Sequence, residues 1–202
     1  PADELVLDDE VRRAHSGDQW FAATTPAAVA FPRSTESVAK LLRFAHQHRI
    51  PVTPRGAGYG YVGGCVPDER GIALSLARMN RIKEIHQDAV ARRGLFYPPD
   101  PASRANCSLG GNIATNAGGP SCLKYGVTRD YVLGLEVVLP DGEVVRVGSR
   151  THKNKTGFDF SRFFVGSEGL LGVVTEATLK LIPLPPFRAC LSVGFDAERA
   201  AV

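Results

Sequence analysis

The chain has 202 residues, 44% of them hydrophobic and 22% charged, which is typical of a folded globular protein with one core or two small lobes. Its 24 basic and 21 acidic residues are interspersed and give a net charge of +3, so the sequence offers no electrostatic surface for nucleic acid. No apolar run approaches the roughly 20 residues of a membrane helix, and the first residues lack the regions of a signal peptide, so we expect a cytoplasmic protein without a membrane span.

Residues 26–85 predict a small α/β lobe, which follows a polar N-terminal segment at 1–25. Ser34 can cap a helix, because the apolar residues after it recur at helical spacing up to about Gln47. Short apolar and β-branched runs flank this helix and predict strands. The three predicted strands span residues 27–31, 51–53 and 71–76.

Residues 95–185 predict a second lobe, which is mainly antiparallel. An Asp-Gly pair at 141–142 lies between two β-rich runs, at 132–139 and 143–147, and is typical of a hairpin. A last strand is predicted at 173–181, where alternating polar and apolar residues indicate one solvent-exposed face. We therefore expect an α+β fold and not one doubly wound sheet.

Three glycine-rich clusters hold 12 of the 21 glycines of the chain. They occupy residues 55–64, 109–120 and 166–172. Glycines placed only for turns would be scattered singly, whereas clustered glycines allow successive N–H groups to converge on an anion. The clusters therefore predict one extended, phosphate-bearing ligand lined by several loops.

The first cluster contains G-x-G-x-x-G at residues 58–63, but the sequence after it excludes a Rossmann site. That motif must open a helix whose N-terminus faces the pyrophosphate. Gly64, Pro67 and the turn residues 68–71 forbid a long helix there. Phosphate binding by a loop remains the interpretation.

Polar residues of the clusters each have two interpretations. Arg55 either pairs with a phosphate or is a surface charge. Glu168 is expected to open a short helical turn, with its carboxylate at the favourable N-terminal end. Four other side chains either bind ligand groups or close local turns. These four are Ser108, Asn112, Thr115 and Asn116.

No residue set in the sequence supports catalysis without a cofactor. The chain has no Ser/His/Asp order, no paired carboxylates and no metal-ligand spacing. His152 is interpreted as a solvated loop residue, and His46 and His48 as cations at a helix end. The chemistry is therefore expected to come from a cofactor or from residues outside this chain.

The four cysteines show no C-x-x-C spacing, so neither a zinc site, an iron–sulfur ligand set nor a disulfide is implied. We expect buried free thiols. The residues are Cys65, Cys107, Cys122 and Cys190.

Ordered motifs surround the three clusters. The first is Thr-Pro-Arg-Gly-Ala-Gly at 53–58, the second joins Pro-Pro-Asp-Pro-Ala-Ser at 98–103 to the glycines at 110–119, and the third is Phe-Val-Gly-Ser-Glu-Gly at 164–169. In this order they resemble the FAD-linked oxidase family, which carries a vanillyl-alcohol-oxidase-type (PCMH-type) FAD-binding domain. The resemblance is to the branch that contains glycolate oxidase, D-lactate dehydrogenase and D-2-hydroxyglutarate dehydrogenase.

The resemblance implies a PCMH-type FAD-binding domain at about 26–185, with the flavin between lobes at 26–85 and 95–185. The FAD would be held non-covalently, because Tyr59 stands where covalent members have histidine. Residues implied for the pyrophosphate loop are Arg55, Gly56, Ala57, Gly58, Tyr59, Gly60, Gly63 and Gly64. Those implied along the flavin are Pro101, Ser103, Ser108, Gly111, Asn112, Ala114, Thr115, Asn116, Ala117, Gly118 and Gly119. Those implied toward the ribityl and adenine end are Glu168, Gly169, Gly172 and Val174.

The activity implied by the resemblance is a flavin-dependent 2-hydroxy-acid dehydrogenase or oxidase, of the glycolate, D-lactate or D-2-hydroxyglutarate type. The substrate hydride would pass to the flavin, and electrons would leave to a quinone, cytochrome or iron–sulfur partner, which could hold the protein at a membrane periphery. The alternatives are a flavin-binding subunit without independent turnover and a non-redox transferase relative.

Two departures from the family pattern concern the length of the chain. The resemblance implies a strand, a turn and a long helix between Ile85 and Gly94, but only eight residues stand there, roughly twenty too few, and a helix of average length does not fit. Either the connection at 85–94 is genuinely short or a segment is missing near 86–88. Residues 186–202 are interpreted as the start of a substrate-binding cap domain. That domain would supply the base and, in some members, a metal.

Overall fold

The computed structural model describes residues 2–83, 94–151, 157–187 and 189. The first half forms a four-stranded sheet with the order β1-β2-β4-β3, in which β2, β4 and β3 are parallel and β1 is antiparallel. The strands are β1 (Leu5–Val6), β2 (Ala28–Ala30), β3 (Val52–Arg55) and β4 (Ile72–Ser75), and the helices are α1 (Asp9–Ala14) and α2 (Thr35–His48). The predicted strand–helix–strand order of this lobe is confirmed.

Helix α2 forms where its cap and its apolar face predict it. The Ser34 hydroxyl accepts the N–H of Ser37 at 3.2 Å, and Val38 and Leu42 are buried on the inner face. His46 and His48 lie in the last turn, where a positive charge is favourable.

The second half contains a three-stranded antiparallel sheet with the order β7-β6-β8 and a separate antiparallel pair, β5 with β9. The strands are β5 (Leu95–Phe96), β6 (Val132–Val138), β7 (Val144–Gly148), β8 (Val173–Leu179) and β9 (Ile182–Pro183), and the helices are α3 (Leu109–Thr115), α4 (Cys122–Tyr125) and α5 (Phe160–Phe164). The predicted hairpin and the α+β class are confirmed.

The structure differs from the sequence prediction in the N-terminal segment, in the second glycine cluster and at the last strand. The N-terminal segment holds β1, which pairs with β2, and α1, whose N–H groups at Glu10 and Val11 are capped by Asp8 at 3.0 Å. The second glycine cluster begins with a helix, α3, and not with a loop. β8 ends at Leu179, and only Val173 of this strand is fully buried, so its burial does not alternate as predicted.

One hydrophobic core joins the two lobes. Leu42 of α2 and Leu74 of β4 lie in the same buried cluster as Val138 of β6 and Val173 of β8. A second buried cluster lies within the second lobe and includes Ile113 and Phe164. Because the lobes share buried side chains, their relative position is fixed by packing.

The expectation that the thiols are buried is wrong for the described cysteines. Cys65 and Cys107 are half-buried and Cys122 is exposed, because all three lie in the loops and short helix around the glycine clusters and not in a strand. Cys190 and His152 lie outside the described residues, as do the connection at 84–93 and residues 190–202.

No helix in the described ranges has the length and hydropathy that crossing a bilayer requires. Within the same ranges, no three His, Cys, Asp or Glu side chains are grouped as ligands of a metal ion.

Candidate functional site

The three glycine clusters meet at one place. A Cβ atom on Gly56 would collide with the Ser108 hydroxyl at the start of α3, and one on Gly64 would lie 3.5 Å from Glu168 Oε2. The third cluster also lies against β3, since a Cβ on Gly169 would be 3.3 Å from the ring of Pro54. The sequence predicts that the clusters line one ligand, and the structure brings them together.

The first cluster forms an irregular loop directly after β3, with no helix behind it. Gly58 and Gly63 have φ angles of 76° and 73°, which only glycine adopts readily. None of the backbone N–H groups of residues 56–62 donates to another described residue. Such a run of free donors in a non-helical loop is suited to an anion and agrees with the exclusion of a Rossmann site.

Arg55 is half-buried, and one nitrogen of its guanidinium is bonded within the protein. Its Nη1 donates to the Gly17 carbonyl and to Cys65 Sγ, the latter at 3.3 Å, and a Cβ on Gly58 would lie 2.6 Å from its Cζ. The guanidinium therefore lies against the loop and adds positive charge beside its free N–H groups. Burial raises the pKa of Cys65, although the nearby Arg55 opposes this shift, so the thiol stays protonated at neutral pH.

The polar side chains of the second cluster have local partners. Ser108 Oγ caps α3 by accepting the N–H of Gly111 at 3.1 Å, and Thr115 Oγ1 donates to the Gly111 carbonyl at 2.9 Å. Asn116 ends α3 in the left-handed conformation and accepts the N–H of Arg129 at 2.9 Å. Asn112 is buried and donates to Cys107 Sγ at 3.4 Å. Ser108, Asn112 and Thr115 bond partners within five residues of chain, as the turn interpretation expects, whereas Asn116 bonds Arg129, 13 residues away.

The segment at 98–103 packs beside the end of the second cluster. A Cβ on Gly119 would collide with the Asp100 carbonyl, and Asp100 Oδ2 accepts the Ser121 hydroxyl at 2.7 Å. Pro101 and Ser103 lie in the turn that follows, where their carbonyls accept N–H groups at 2.8 Å. The structure thus places this segment and Gly118-Gly119 side by side.

The expectation that Glu168 opens a helical turn is wrong. Helix α5 ends at Phe164, β8 begins at Val173, and Glu168 itself has a φ of 54°. Its N–H donates to the Ala114 carbonyl at 2.9 Å, so the backbone of the third cluster is tied to α3 and not to a helix of its own.

Gly172 and Val174 face the second lobe and not the first loop. A Cβ on Gly172 would lie 2.7 Å from Val137 Cγ1, and Val174 packs against the buried cluster that includes Ile113. Among the sequence-predicted site residues, these two are therefore not brought to the meeting point of the clusters.

Sequence reasoning missed two contributors to the site. Residues 17–20 of the N-terminal segment lie on the first loop and line, with it, a cavity of about 390 Å³. Arg129 links the second and third clusters by donating from Nη2 to the Val165 carbonyl at 2.9 Å, while its Nε is buried without a partner among the described residues. A Gly-Asp pair is a turn signal, but nothing in the local pattern of residues 17–20 places that turn on a loop 40 residues away.

Comparison with known proteins gives a family match. A model of the family described as "FAD binding domain" matches residues 26–92 and 87–148. The chain is 45% identical over 193 residues to glycolate oxidase subunit GlcD of Bacillus subtilis, covering 87% of this chain and 41% of the relative. It is 39% identical over 212 residues to a D-lactate dehydrogenase of Anaerostipes hadrus, covering 95% of this chain and 44% of the relative.

A solved structure of alkyldihydroxyacetonephosphate synthase has the same fold over most of the chain. The TM-score is 0.77 at 25% identity, covering 93% of this chain and 39% of that protein. The chain thus spans about two fifths of the length of the relatives it matches. The alignment with the D-lactate dehydrogenase has 212 positions although it covers only 95% of 202 residues, so that relative has residues within the aligned region that have no counterpart here.

Proposed function

Since the chain belongs to the FAD binding domain family, whose model matches more than half of it, we propose that it is the FAD-binding part of a flavin-dependent 2-hydroxy-acid dehydrogenase or oxidase. The cofactor is FAD. The substrate class is supported by the relatives named glycolate oxidase subunit and D-lactate dehydrogenase, at 45% and 39% identity.

The observation that carries the proposal is the convergence of three glycine clusters beside a row of N–H groups that donate to no other described residue. The residues present fit FAD, because its pyrophosphate requires several donors and its two ring systems require several backbones that can be approached closely. The residues proposed to hold it are those of the first loop (Arg55, Gly56, Ala57, Gly58, Tyr59, Gly60, Gly63, Gly64), those in and beside α3 (Pro101, Ser103, Ser108, Gly111, Asn112, Ala114, Thr115, Asn116, Gly118, Gly119) and two of the third cluster (Glu168, Gly169). Gly172 and Val174, which lie against the sheet of the second lobe, are proposed for a part of FAD away from the first loop.

FAD, when bound, supplies the two-electron oxidant that accepts a hydride from the substrate carbon. The share of this chain is to bind and orient it. The N–H groups of residues 56–62 would donate to the anionic part, with the Arg55 charge beside them, and α3 and the third cluster would form the opposite wall. The group that takes the hydroxyl proton of the substrate is proposed to lie outside this chain.

The proposed partners are a small 2-hydroxy acid and an electron acceptor such as a quinone, a cytochrome or an iron–sulfur subunit. The name of the relative GlcD as an oxidase subunit supports an assembly of several chains. We place the protein in the cytoplasm, held at a membrane periphery only through such a partner.

The test uses the protein purified from its complete gene and loaded with FAD. Under anaerobic conditions, glycolate, D-lactate or D-2-hydroxyglutarate is expected to bleach the flavin absorbance, and the L enantiomers of the two chiral acids serve as matched controls. If the protein binds FAD but no hydroxy acid reduces it, the proposed activity is wrong and the FAD site stands.

A second candidate is a non-redox transferase, which is favoured by the structural match to alkyldihydroxyacetonephosphate synthase. A flavin-binding subunit without independent turnover is a third, favoured by the relative that is named as a subunit of glycolate oxidase. The transferase is expected to leave the flavin oxidised with every hydroxy acid tested. The subunit is expected to show reduction only after its partner chains are added.

A further inference from the structure

Residues 17–20, which we call the upstream segment, lie across the first glycine loop. Asp18 Oδ2 accepts the N–H of Gly63 at 3.0 Å, and the N–H of Gln19 donates to the Gly60 carbonyl at 2.9 Å. From the other side, Arg55 Nη1 donates to the Gly17 carbonyl. The family match begins at residue 26, so the upstream segment lies outside the matched region although it touches the loop at three points.

Asp18 connects the upstream segment to the loop with both oxygens of one carboxylate. Oδ1 accepts the N–H of Trp20 at 2.8 Å and closes a turn within the segment, while Oδ2 reaches Gly63. The loop passes so near that a Cβ on Gly60 would lie 3.0 Å from Oδ2. An alanine at position 18 could make neither bond, and an asparagine could accept only one.

These contacts occupy the Gly60 carbonyl and the Gly63 N–H, and they leave the N–H groups of residues 56–62 without an acceptor in the described part of the chain. A glycine-rich loop has more conformational freedom to lose than any other. A loop that is already fixed before its ligand arrives loses less entropy on binding and therefore binds more tightly.

The negative charge of Asp18 by itself opposes an anion at this loop. Arg55 offsets it, because the guanidinium bonds the Gly17 carbonyl next to Asp18. The useful property of the Asp18 carboxylate is therefore its two acceptor oxygens, and its negative charge is offset by Arg55.

We propose that Asp18 is a positioning residue that preorganises the loop at 56–62 for the pyrophosphate of FAD. The inference rests on the proposed function only in taking this loop as the place where FAD binds. It does not depend on which substrate the flavin oxidises.

The experiment compares FAD affinity of Asp18→Ala, Asp18→Asn and a matched control, Asp68→Ala, in the apo-protein from the complete gene. Asp68 also closes a turn, accepting the N–H of Arg70 at 2.8 Å, but it precedes β4 at the end of the sheet away from the loop. FAD is titrated and its fluorescence quenching gives the Kd. Hydrogen exchange of the amide of Gly63 in the apo-protein is measured in parallel.

Asp18→Ala is expected to raise the Kd about tenfold or more, Asp18→Asn by less, and Asp68→Ala by no more than about twofold. Exchange at Gly63 is expected to accelerate in both Asp18 variants and not in the control. A further signature is the emission of Trp20, the single tryptophan of this sequence, which should shift to longer wavelength when its turn is released.

A Kd for Asp18→Ala within about twofold of wild type would overturn the proposal, as would an equal loss in Asp68→Ala, which would indicate a general effect on the fold. If Asp18→Ala does not fold, Asp18→Asn decides in the same way: unchanged Gly63 exchange and unchanged Kd contradict the proposal. Failure of the wild-type protein to bind FAD would contradict the proposed function instead.

Discussion

Gly56 is the residue at which the first glycine cluster touches the second. A Cβ there would collide with the hydroxyl of Ser108 and lie 3.5 Å from the backbone nitrogen of Gly111. Since that hydroxyl caps α3, a larger residue at position 56 disturbs both walls of the site at once. Overpacking of this kind typically costs about 1–3 kcal/mol.

Gly56→Ala is therefore expected to lower the free energy of unfolding of the apo-protein by about 1–3 kcal/mol and to weaken FAD binding by about tenfold or more. Urea unfolding and FAD titration measure the two effects. Gly110→Ala is the matched control for stability, because nothing lies within 4 Å of a Cβ there and alanine favours the helix. Equal stability of Gly56→Ala and wild type would contradict the packing described for this contact.

Tyr59 belongs to the same loop and stands in a position where covalent relatives are expected to have histidine. Its side chain is 38% exposed and offers no nucleophilic nitrogen to a flavin. Acid precipitation of the holoprotein is expected to leave a white pellet and a yellow supernatant whose absorbance matches free FAD. A pellet that stays yellow would show a covalent bond and contradict the prediction.

Whole elements differ in how far the sequence predicts them. Helix α2 was predictable because a cap at Ser34 and an apolar repeat lie within one window of sequence. Helix α3 was not predictable, because its two glycines disfavour a helix. Its stability depends on the cap at Ser108 and on contacts with the first and third clusters.

The contacts within the candidate site also differ in how far the sequence predicts them. Glycine clustering predicts that the loops share a ligand, since this property is local to each loop. The contact of Arg55 with Gly17 joins residues 38 positions apart, so no local sequence pattern predicts it. The left-handed turn at Glu168 was likewise not predictable from the sequence, because it depends on the hydrogen bond to the Ala114 carbonyl across the site.

One face of the antiparallel sheet carries charges in register on three strands. Glu136 on β6 lies opposite Arg146 on β7 and Glu176 on β8, and Arg146 bonds Glu136. Lys83 donates to Glu176 Oε2 at 2.6 Å, and this hydrogen bond lowers the pKa of Glu176 below its ordinary value of 4.5. The ion pair ties the segment after β4 to the edge of the second lobe.

A carboxyl whose pKa is lower in the folded than in the unfolded protein stabilises the fold above the unfolded pKa, and this contribution is lost as pH falls through the folded value. Wild type is therefore expected to lose stability below about pH 4.5, and Glu176→Gln to lose less over the same range. Urea unfolding between pH 7 and pH 3 measures this. Glu143→Gln, at an exposed residue of the same hairpin, is the matched control and should keep the wild-type dependence of stability on pH. A Glu176 variant with the wild-type pH slope would contradict the assignment.

At the scale of the whole molecule, the proposed FAD site takes one wall from each lobe, so its geometry depends on how the lobes are joined. They are joined by a buried cluster to which both contribute, with Leu42 and Leu74 from one side and Val138 and Val173 from the other. Two lobes that share a core are expected to unfold together, because neither can keep its buried face when the other is lost.

Leu42→Ala tests whether the two lobes unfold together, because Leu42 belongs to the first lobe and α3 and the third cluster belong to the second. Leu42 is 6% exposed, and its truncation is expected to cost about 2–5 kcal/mol. Because the core is shared, the loss should appear in the hydrogen-exchange protection of β6 and β8 as well as in α2, and thermal unfolding should remain one transition at a lower Tm. FAD at a thousandfold excess over its Kd should restore about 4 kcal/mol to both lobes together, since it binds only where they are assembled. Two separate transitions, or unchanged protection in β6 and β8, would mean that each lobe holds its own wall of the site independently.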